Sequence, residues 1–180
     1  MAIQVVILAA GMGTRLGKPW PKPLTPLKDD QSIMSRQIKN IKKVFGEEAR
    51  IHIVVGFKLE MIMEAHPDCL FIYNEEFDQT NTSKSLLRAI KLSQESGVLW
   101  LNGDVVFESN VLERVSERVR NEKSFVCVNT ASVAEEEVKY TVDNNGYIKE
   151  LSKVVLNGLG EAVGINFISK NHKNIVLNKL

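Results

Sequence analysis

The residues with the clearest chemical potential lie in the segment LAAGMGTRLGKPWPKPL, which spans positions 8–24. Gly11 and Gly13 leave the backbone amides open to an anion, because no side chain intervenes and positive φ angles are accessible. Arg15 and Lys22 add positive charge, and the prolines around Lys22 limit the freedom of the chain there. The segment therefore predicts a site that binds the phosphate groups of a substrate.

Two familiar phosphate-binding motifs do not fit this segment. The dinucleotide fingerprint GxGxxG needs a small residue at position 16, where this chain has Leu16, and the next glycine comes one residue later. The P-loop GxxxxGK[ST] would need a glycine in place of Met12 and a hydroxyl residue in place of Pro19. Neither motif explains the segment.

Asp104 is a second candidate, in the stretch LWLNGDVVF at positions 99–107. It follows an apolar run that predicts a strand, and ligands of open α/β sheets bind beyond the carboxyl ends of the strands. Magnesium is held by one or two carboxylates together with substrate phosphates and water, so Asp104 alone can anchor the ion. The alternative interpretation is an ordinary turn at Asn-Gly-Asp.

The elements that must position these residues follow from hydrophobic periodicity. Ile3–Leu8 predicts a strand covered on both faces, and SIMSRQIKNIKKVF predicts an amphipathic helix capped by Ser32 or Asp30. The alternation continues with strands at 50–55, 69–73, 98–101 and 124–129 and helices at 58–65, 82–94 and 110–121. This order predicts an α/β fold with a Rossmann-like, doubly wound, mostly parallel sheet.

The carboxyl-terminal third predicts additions to that sheet. Asn145-Gly146, within EVKYTVDNNGYIKELSK, indicates an antiparallel hairpin. A further strand is expected at 162–168, followed by a helix capped by Ser169 that continues to the end of the chain. The 180 residues are expected to form one domain, 1–180, without repeats or linkers.

Composition excludes several classes of partner and site. A net charge of +1 gives no broad field for nucleic acid or an anionic membrane, so neither is expected as a partner. Cys69 and Cys127 are far apart, which argues against zinc and disulfide frameworks. The apolar start lacks a basic region and is too short to span a bilayer, so a cytoplasmic location is expected. Oligomerisation is left open.

The motif LAAGMGTRL followed by PKPL resembles the signature of the nucleotidyltransferases that make sugar nucleotides and related nucleotide-activated metabolites. The seven-residue step from Arg15 to Lys22 is similar to that of N-acetylglucosamine-1-phosphate uridylyltransferases and methylerythritol-phosphate cytidylyltransferases. VVGF at 54–57, LNGDVVF at 101–107 and EAVGINFIS at 161–169 follow in the order that the family shows. The resemblance therefore extends along most of the chain.

This resemblance implies a Mg²⁺-dependent enzyme that couples a nucleoside triphosphate to a phosphorylated small molecule and releases pyrophosphate. The acceptor phosphate, with a second pKa of about 6, is already largely ionised at neutral pH, so no general base is required. FDQTNTSKSL at 77–86 resembles a segment of bacterial phosphocholine cytidylyltransferases and of enzymes that activate phosphonates, which favours CTP. A sugar-1-phosphate uridylyl- or thymidylyltransferase and a catalytically silent nucleotide-sensing or scaffold subunit are the alternatives.

The resemblance also implies roles for single residues. Arg15 would face the leaving pyrophosphate, Lys22 would lie between the α-phosphate and the acceptor, and Asp104 would bind Mg²⁺, which makes these three the predicted catalytic residues. The other predicted nucleotide contacts are Leu8, Ala9, Ala10, Gly11, Met12, Gly13, Thr14 and Asn81. The predicted acceptor contacts are Ser85, Lys153, Glu161 and Asn166.

Some of these assignments have simpler alternatives. Asn81 could serve as a helix cap and nothing more, and Lys153 could be an exposed lysine of an edge strand.

Many relatives take a second metal-binding carboxylate from beyond the last strand, whereas no Asp follows Glu161 here. Either Asp104 and phosphates hold the metal alone, or the sequence is a shortened form of a longer protein. The shortened form is our expectation.

Overall fold

The computed structural model describes residues 2–13, 19–79, 81–93, 96–131 and 136–178, which contain eight strands and five helices. The strands are β1 (Ile3–Ala9), β2 (Ala49–Val55), β3 (Leu70–Tyr73), β4 (Val98–Asn102), β5 (Phe125–Asn129), β6 (Lys139–Val142), β7 (Ile148–Ser152) and β8 (Glu161–Ile168). The helices are α1 (Ile33–Phe45), α2 (Leu59–Ala65), α3 (Thr82–Leu92), α4 (Ser109–Arg120) and α5 (Lys170–Leu177).

The strands form one mixed sheet in the order β3-β2-β1-β4-β8-β6-β7. The first four of these pair in parallel, β8 is antiparallel to β4, and β6 and β7 form the hairpin at the far edge. β5 bonds to the side of β8 opposite β4, so the last strand of the chain lies between two earlier ones. The predicted mostly parallel sheet with an antiparallel hairpin is confirmed.

Helices cover both faces of the sheet, as the doubly wound prediction requires. Alternate residues of β1 enter different cores: Val5 and Ile7 pack with α1, α2 and α4, while Val6 and Leu8 pack with α3 and α5. A strand buried on both faces has a nearly continuous apolar sequence, which explains the run at Ile3–Ala9. The carboxyl end of β1 is therefore held rigidly from both sides.

Side-chain caps set the beginnings of the helices nearest to the candidate site. Ser32 caps α1, because its hydroxyl accepts a hydrogen bond from the backbone N–H of Ser35 at 3.0 Å. Asn81 caps α3 and accepts from the backbone N–H groups of Ser83 and Lys84 at 3.1 and 3.3 Å. The prediction for the last helix is wrong in its length, because α5 ends at Leu177.

None of the helices in the described part of the chain is long and apolar enough to cross a membrane.

The two cysteines are expected to react slowly in the folded protein. Burial raises the pKa of the Cys127 thiol to about 11, and it also raises the pKa of Cys69. Since the thiolate is the nucleophile, only about one Cys127 side chain in a thousand is reactive at pH ~8. Iodoacetamide at that pH should modify Cys127 much faster in urea than in buffer, as intact-mass spectrometry would show. Equal rates in both solvents would contradict this prediction.

Candidate active site

The carboxyl ends of β1 and β4 bring the two candidate segments together. These strands are adjacent and parallel, and Leu8 lies opposite Asn102 in their register. The backbone N–H of Gly103 donates to the carbonyl of Leu8 at 2.9 Å. Because parallel strands end at the same edge of a sheet, the glycine segment after β1 and Asp104 after β4 become neighbours.

Gly103 allows an unusually close approach between these segments. A Cβ atom at this position would lie 2.8 Å from the carbonyl oxygen of Leu8 and 2.9 Å from Cγ of Pro23. The glycine is therefore required by packing. It lets the turn that carries Lys22 pack directly on the turn that carries Asp104.

Lys22 begins a short 3₁₀ turn, Lys22–Leu24, in which the backbone N–H of Thr25 donates to the carbonyl of Lys22 at 3.0 Å. The Lys22 Nζ atom lies 2.5 Å from Oδ2 of Asp104, and these side chains are 41% and 39% exposed. An ion pair this open to solvent contributes about 0–1 kcal/mol to stability. This ion pair, between residues 82 positions apart, therefore contributes little to the stability of the fold by itself.

A cleft of about 530 Å³ opens beside this ion pair, a volume within the usual range for small-molecule sites. It carries both signs of charge, with two lysines and three carboxylates among its lining residues. The lining residues are Leu8, Ala9, Gly11, Gly13, Lys22, Pro23, Thr82, Asn102, Gly103, Asp104, Glu136, Glu137, Val138 and Lys153. A phosphorylated ligand of mixed charge suits such a surface.

Most of the predicted nucleotide contacts that the structure describes lie in this cleft. Its lining includes the predicted residues Leu8, Ala9, Gly11, Gly13, Lys22 and Asp104. Ala10 instead packs in the core beside α3, and its carbonyl accepts from the N–H of Phe57 at 3.1 Å. Met12 is 40% exposed and is not among the lining residues. Thr14 and Arg15 lie outside the described residues.

The other predicted residues are more dispersed. Of the acceptor candidates, Lys153 lines the cleft, whereas Ser85 is buried and accepts from Nδ2 of Asn74 at 3.0 Å. Asn166 is oriented so that its amide nitrogen donates to the carbonyl of Ile165 and its amide oxygen accepts from Trp100 Nε1 at 3.2 Å. Oε1 of Glu161 accepts from Nδ2 of Asn129 at 3.2 Å. Asn81 caps α3 and is not among the lining residues, whereas its neighbour Thr82 lines the cleft.

Sequence reasoning missed several lining residues. Asn102 and Gly103 belong to the Asn-Gly-Asp turn, so their position before Asp104 was an available signal. Glu136 and Glu137 belong to an acidic run, which by itself resembles an ordinary solvated loop. Their place in the cleft depends on where that loop lies relative to β4.

The donor set of this cleft fits a magnesium ion bound together with a nucleotide. Across the described ranges, no group of three or more His, Cys, Asp or Glu side chains is arranged to hold a metal. Magnesium does not need one, since one or two carboxylates combine with phosphate oxygens and water. The Asp104 carboxylate, partly exposed at the cleft, is available for that role.

Comparison with known proteins gives relatives that share about a third of the aligned residues with this chain. CMP-5'-(3-aminopropyl)phosphonate synthase of Streptomyces rubellomurinus is 35% identical over 126 residues, which cover 63% of this chain and 19% of the relative. The bifunctional protein GlmU of Pseudomonas fluorescens is 32% identical over 122 residues, covering 66% of this chain and 26% of that protein. The aligned part is thus about a quarter or less of the length of these relatives.

A solved structure with the same fold is that of the CTP:phosphocholine cytidylyltransferase LicC of Streptococcus pneumoniae. It superposes with a TM-score of 0.73 over 99% of this chain and 75% of that one, at 17% sequence identity. At this identity the likeness shows the fold. The model of the MobA-like NTP transferase domain matches residues 5–171, a range that includes most of β1, all of β4 and both turns of the site. The chain therefore belongs to the MobA-like NTP transferase domain family.

Proposed function

We propose that this domain catalyses nucleotidyl transfer, joining a nucleoside triphosphate to a phosphorylated small molecule and releasing pyrophosphate. CTP is the favoured nucleotide, and a phosphocholine- or phosphonate-like molecule is the favoured acceptor. The observation that carries the proposal is the Lys22–Asp104 pair, held beside the glycine segment at the carboxyl edge of the sheet. A cytoplasmic location, where nucleoside triphosphates are available, goes with it.

The reaction needs charge neutralisation more than proton transfer. An oxygen of the acceptor phosphate attacks the α-phosphorus in line, the bond to pyrophosphate breaks, and its electron pair stays on the leaving oxygen. The acceptor oxygen is already ionised, so no proton has to be removed. Lys22 neutralises charge shared by the α-phosphate and the acceptor, and the amides around Gly11 and Gly13 bind phosphate oxygens. Arg15 is proposed to face the pyrophosphate.

Asp104 is the residue that would hold Mg²⁺ with the nucleotide phosphates. When bound, the ion supplies positive charge that stabilises the leaving pyrophosphate. The Lys22 ammonium lies against Oδ2 of Asp104, and both residues line the cleft, so we expect the pair to separate as the substrates bind. Because an exposed ion pair is weak, this exchange costs little, and it frees Lys22 for the phosphates.

The charges of the cleft support an acceptor with a cationic group. Lys153 can bind the acceptor phosphate or phosphonate, while Glu136 and Glu137, which also line the cleft, give it negative charge that suits an ammonium group. A neutral sugar can donate hydroxyl hydrogen bonds to those carboxylates but cannot neutralise their charge. The relative that makes a CMP-aminopropylphosphonate, together with the FDQTNTSKSL segment, supports the same choice.

A sugar-1-phosphate uridylyl- or thymidylyltransferase is the second candidate, favoured by the seven-residue step from Arg15 to Lys22, which resembles that of N-acetylglucosamine-1-phosphate uridylyltransferases. A pyrophosphate-release screen separates the two by crossing CTP, UTP, dTTP, GTP and ATP with phosphocholine, aminoalkylphosphonates, glycerol phosphate and hexose-1-phosphates. We expect metal-dependent release to be fastest with CTP and a cationic acceptor. Reactions without acceptor and with the Asp104→Asn variant are the controls.

Other outcomes of the screen would overturn parts of the proposal. Release confined to UTP or dTTP with hexose-1-phosphates would establish the second candidate. Release from CTP with uncharged acceptors alone would refute the role of Glu136 and Glu137. No release from any pair, in a folded protein that binds nucleotide, would make the chain a silent sensing or scaffold subunit.

A further inference from the structure

A buried glutamine holds the turn that carries Asp104. Nε2 of Gln37, in α1, donates to the carbonyl of Asn102 at 2.9 Å and to the carbonyl of Val105 at 2.7 Å. The N–H of Val105 also donates to the Asn102 carbonyl at 3.2 Å, which closes a four-residue turn. One amide group therefore joins the first and last carbonyls of the turn, and Asp104 is its third residue.

Gln37 occupies a position where packing alone favours an apolar side chain. It is 0% exposed and lies on the same face of α1 as the buried residues Met34, Ile38 and Ile41. Its Oε1 atom is buried and has no hydrogen-bond partner among the described residues. The Gln37 amide thus leaves its oxygen unsatisfied in the core while its nitrogen donates twice to one turn. A buried polar group with this arrangement indicates that its function is to hold that turn.

Helix α1 also supports the other half of the site. The N–H of Ile33, at the start of the helix, donates to the carbonyl of Thr25 at 3.1 Å. Thr25 follows directly on the turn that carries Lys22. One rigid element thus sets the position of both charged groups, through Ile33 on one side and Gln37 on the other.

We propose that Gln37 is a positioning residue for the metal–nucleotide site. By bridging the carbonyls of Asn102 and Val105, it fixes the direction in which Asp104 presents its carboxylate to the cleft. Gln37 itself is not among the residues that line the cleft. The inference rests on the proposed function, because it takes Asp104 as the magnesium-binding residue.

Asn40 offers a matched control on the same helix. It is also buried, and its Nδ2 atom donates to the carbonyl of Phe107 at 2.7 Å, three residues beyond Asp104. Both side chains therefore tie α1 to the same loop through a buried amide. If these amides served stability alone, their replacement would have the same consequences.

The test compares Gln37→Met, Asn40→Leu and the wild-type chain in three measurements. These are the thermal midpoint, the Mg²⁺ concentration for half-maximal pyrophosphate release, and the binding of Mn²⁺ with CTP, followed by the electron paramagnetic resonance signal of free Mn²⁺. Both variants are expected to melt at lower temperature. Gln37→Met should raise the half-maximal Mg²⁺ concentration and weaken Mn²⁺ binding by about 10-fold or more, as loss of a supporting partner does at other metal sites. Asn40→Leu should leave both unchanged.

Each possible result tests a different part of the proposal. A folded Gln37→Met protein with wild-type metal dependence would overturn the positioning role, as would an equal shift in Asn40→Leu. If Gln37→Met does not fold, Gln37→Asn, whose amide is one methylene short of the turn, should give a smaller shift in the same direction, and wild-type behaviour would again refute the role. A wild-type chain that releases no pyrophosphate with any substrate pair would refute the proposed function instead, while the Mn²⁺ measurement would still test Gln37.

Discussion

Replacing Lys22 with alanine is expected to lower kcat about 10²- to 10³-fold while the protein stays folded. In the proposed mechanism the ammonium group lies between the α-phosphate and the acceptor, and a preorganised charge of this kind typically contributes that much to the rate. Its ion pair with Asp104 is open to solvent, so its loss should change the free energy of unfolding by only about 0–1 kcal/mol. Steady-state pyrophosphate release and thermal denaturation measure the two quantities.

Two further variants make the Lys22 result specific. Lys28→Ala removes an exposed lysine from the neighbouring turn and should leave kcat unchanged. Lys22→Arg keeps the charge but presents a planar group on a longer side chain, and it should recover only part of the rate. Wild-type turnover in Lys22→Ala would show that the catalytic assignment is wrong.

Replacing Asp104 with asparagine is expected to reduce activity at least about 10²-fold, because metal binding is weakened while the fold stays intact. Asparagine has nearly the same shape, so the turn closed by Asn102 and Val105 should persist. What is lost is the negative charge that would hold Mg²⁺ beside the nucleotide. Mn²⁺ titrations in the presence of CTP should therefore show weakened binding in this variant.

The two substitutions should have opposite effects on the metal. Because the Lys22 ammonium lies against the Asp104 carboxylate, it competes with a cation for that group, so Lys22→Ala should bind Mn²⁺ at least as well as the wild type. Asp104→Asn should bind it less well. Asp68 is exposed and lies just before the amino-terminal end of β3, so Asp68→Asn serves as the control for the loss of a carboxylate away from the cleft. Equal metal binding in Asp104→Asn and wild type would exclude Asp104 as the ligand.

Local sequence patterns predicted the elements well because their causes are local. The apolar run of β1 reflects burial on both faces, and the periodic stripe of α1 reflects burial on one. Ser32 and Asn81 cap their helices through bonds that span only two or three residues. Glycines and prolines around a cluster of cations indicated a phosphate site for similarly local reasons.

Hydrogen bonds between segments that are distant in the sequence could not be predicted in the same way. Ser85 and Asn166 both have polar side chains in segments that resemble substrate-binding regions, yet their hydrogen bonds go to Asn74 and Trp100. Gln37 looks like an ordinary polar residue in a helix until the turn after β4 is placed against it. The partner in each of these cases is at least eleven residues away, beyond the reach of local periodicity.

The sequence by itself determined the alternation of strands and helices, and it predicted a phosphate site from the glycine segment together with Lys22 and Asp104. Only the tertiary structure decided that β4 lies beside β1, that β8 lies between β4 and β5, and that a lysine and an aspartate 82 positions apart approach to 2.5 Å. The physical reason is the range of the interactions. Helix, strand and turn preferences act over a few residues, whereas strand order and register come from packing between distant segments, and this site lies where two such segments end.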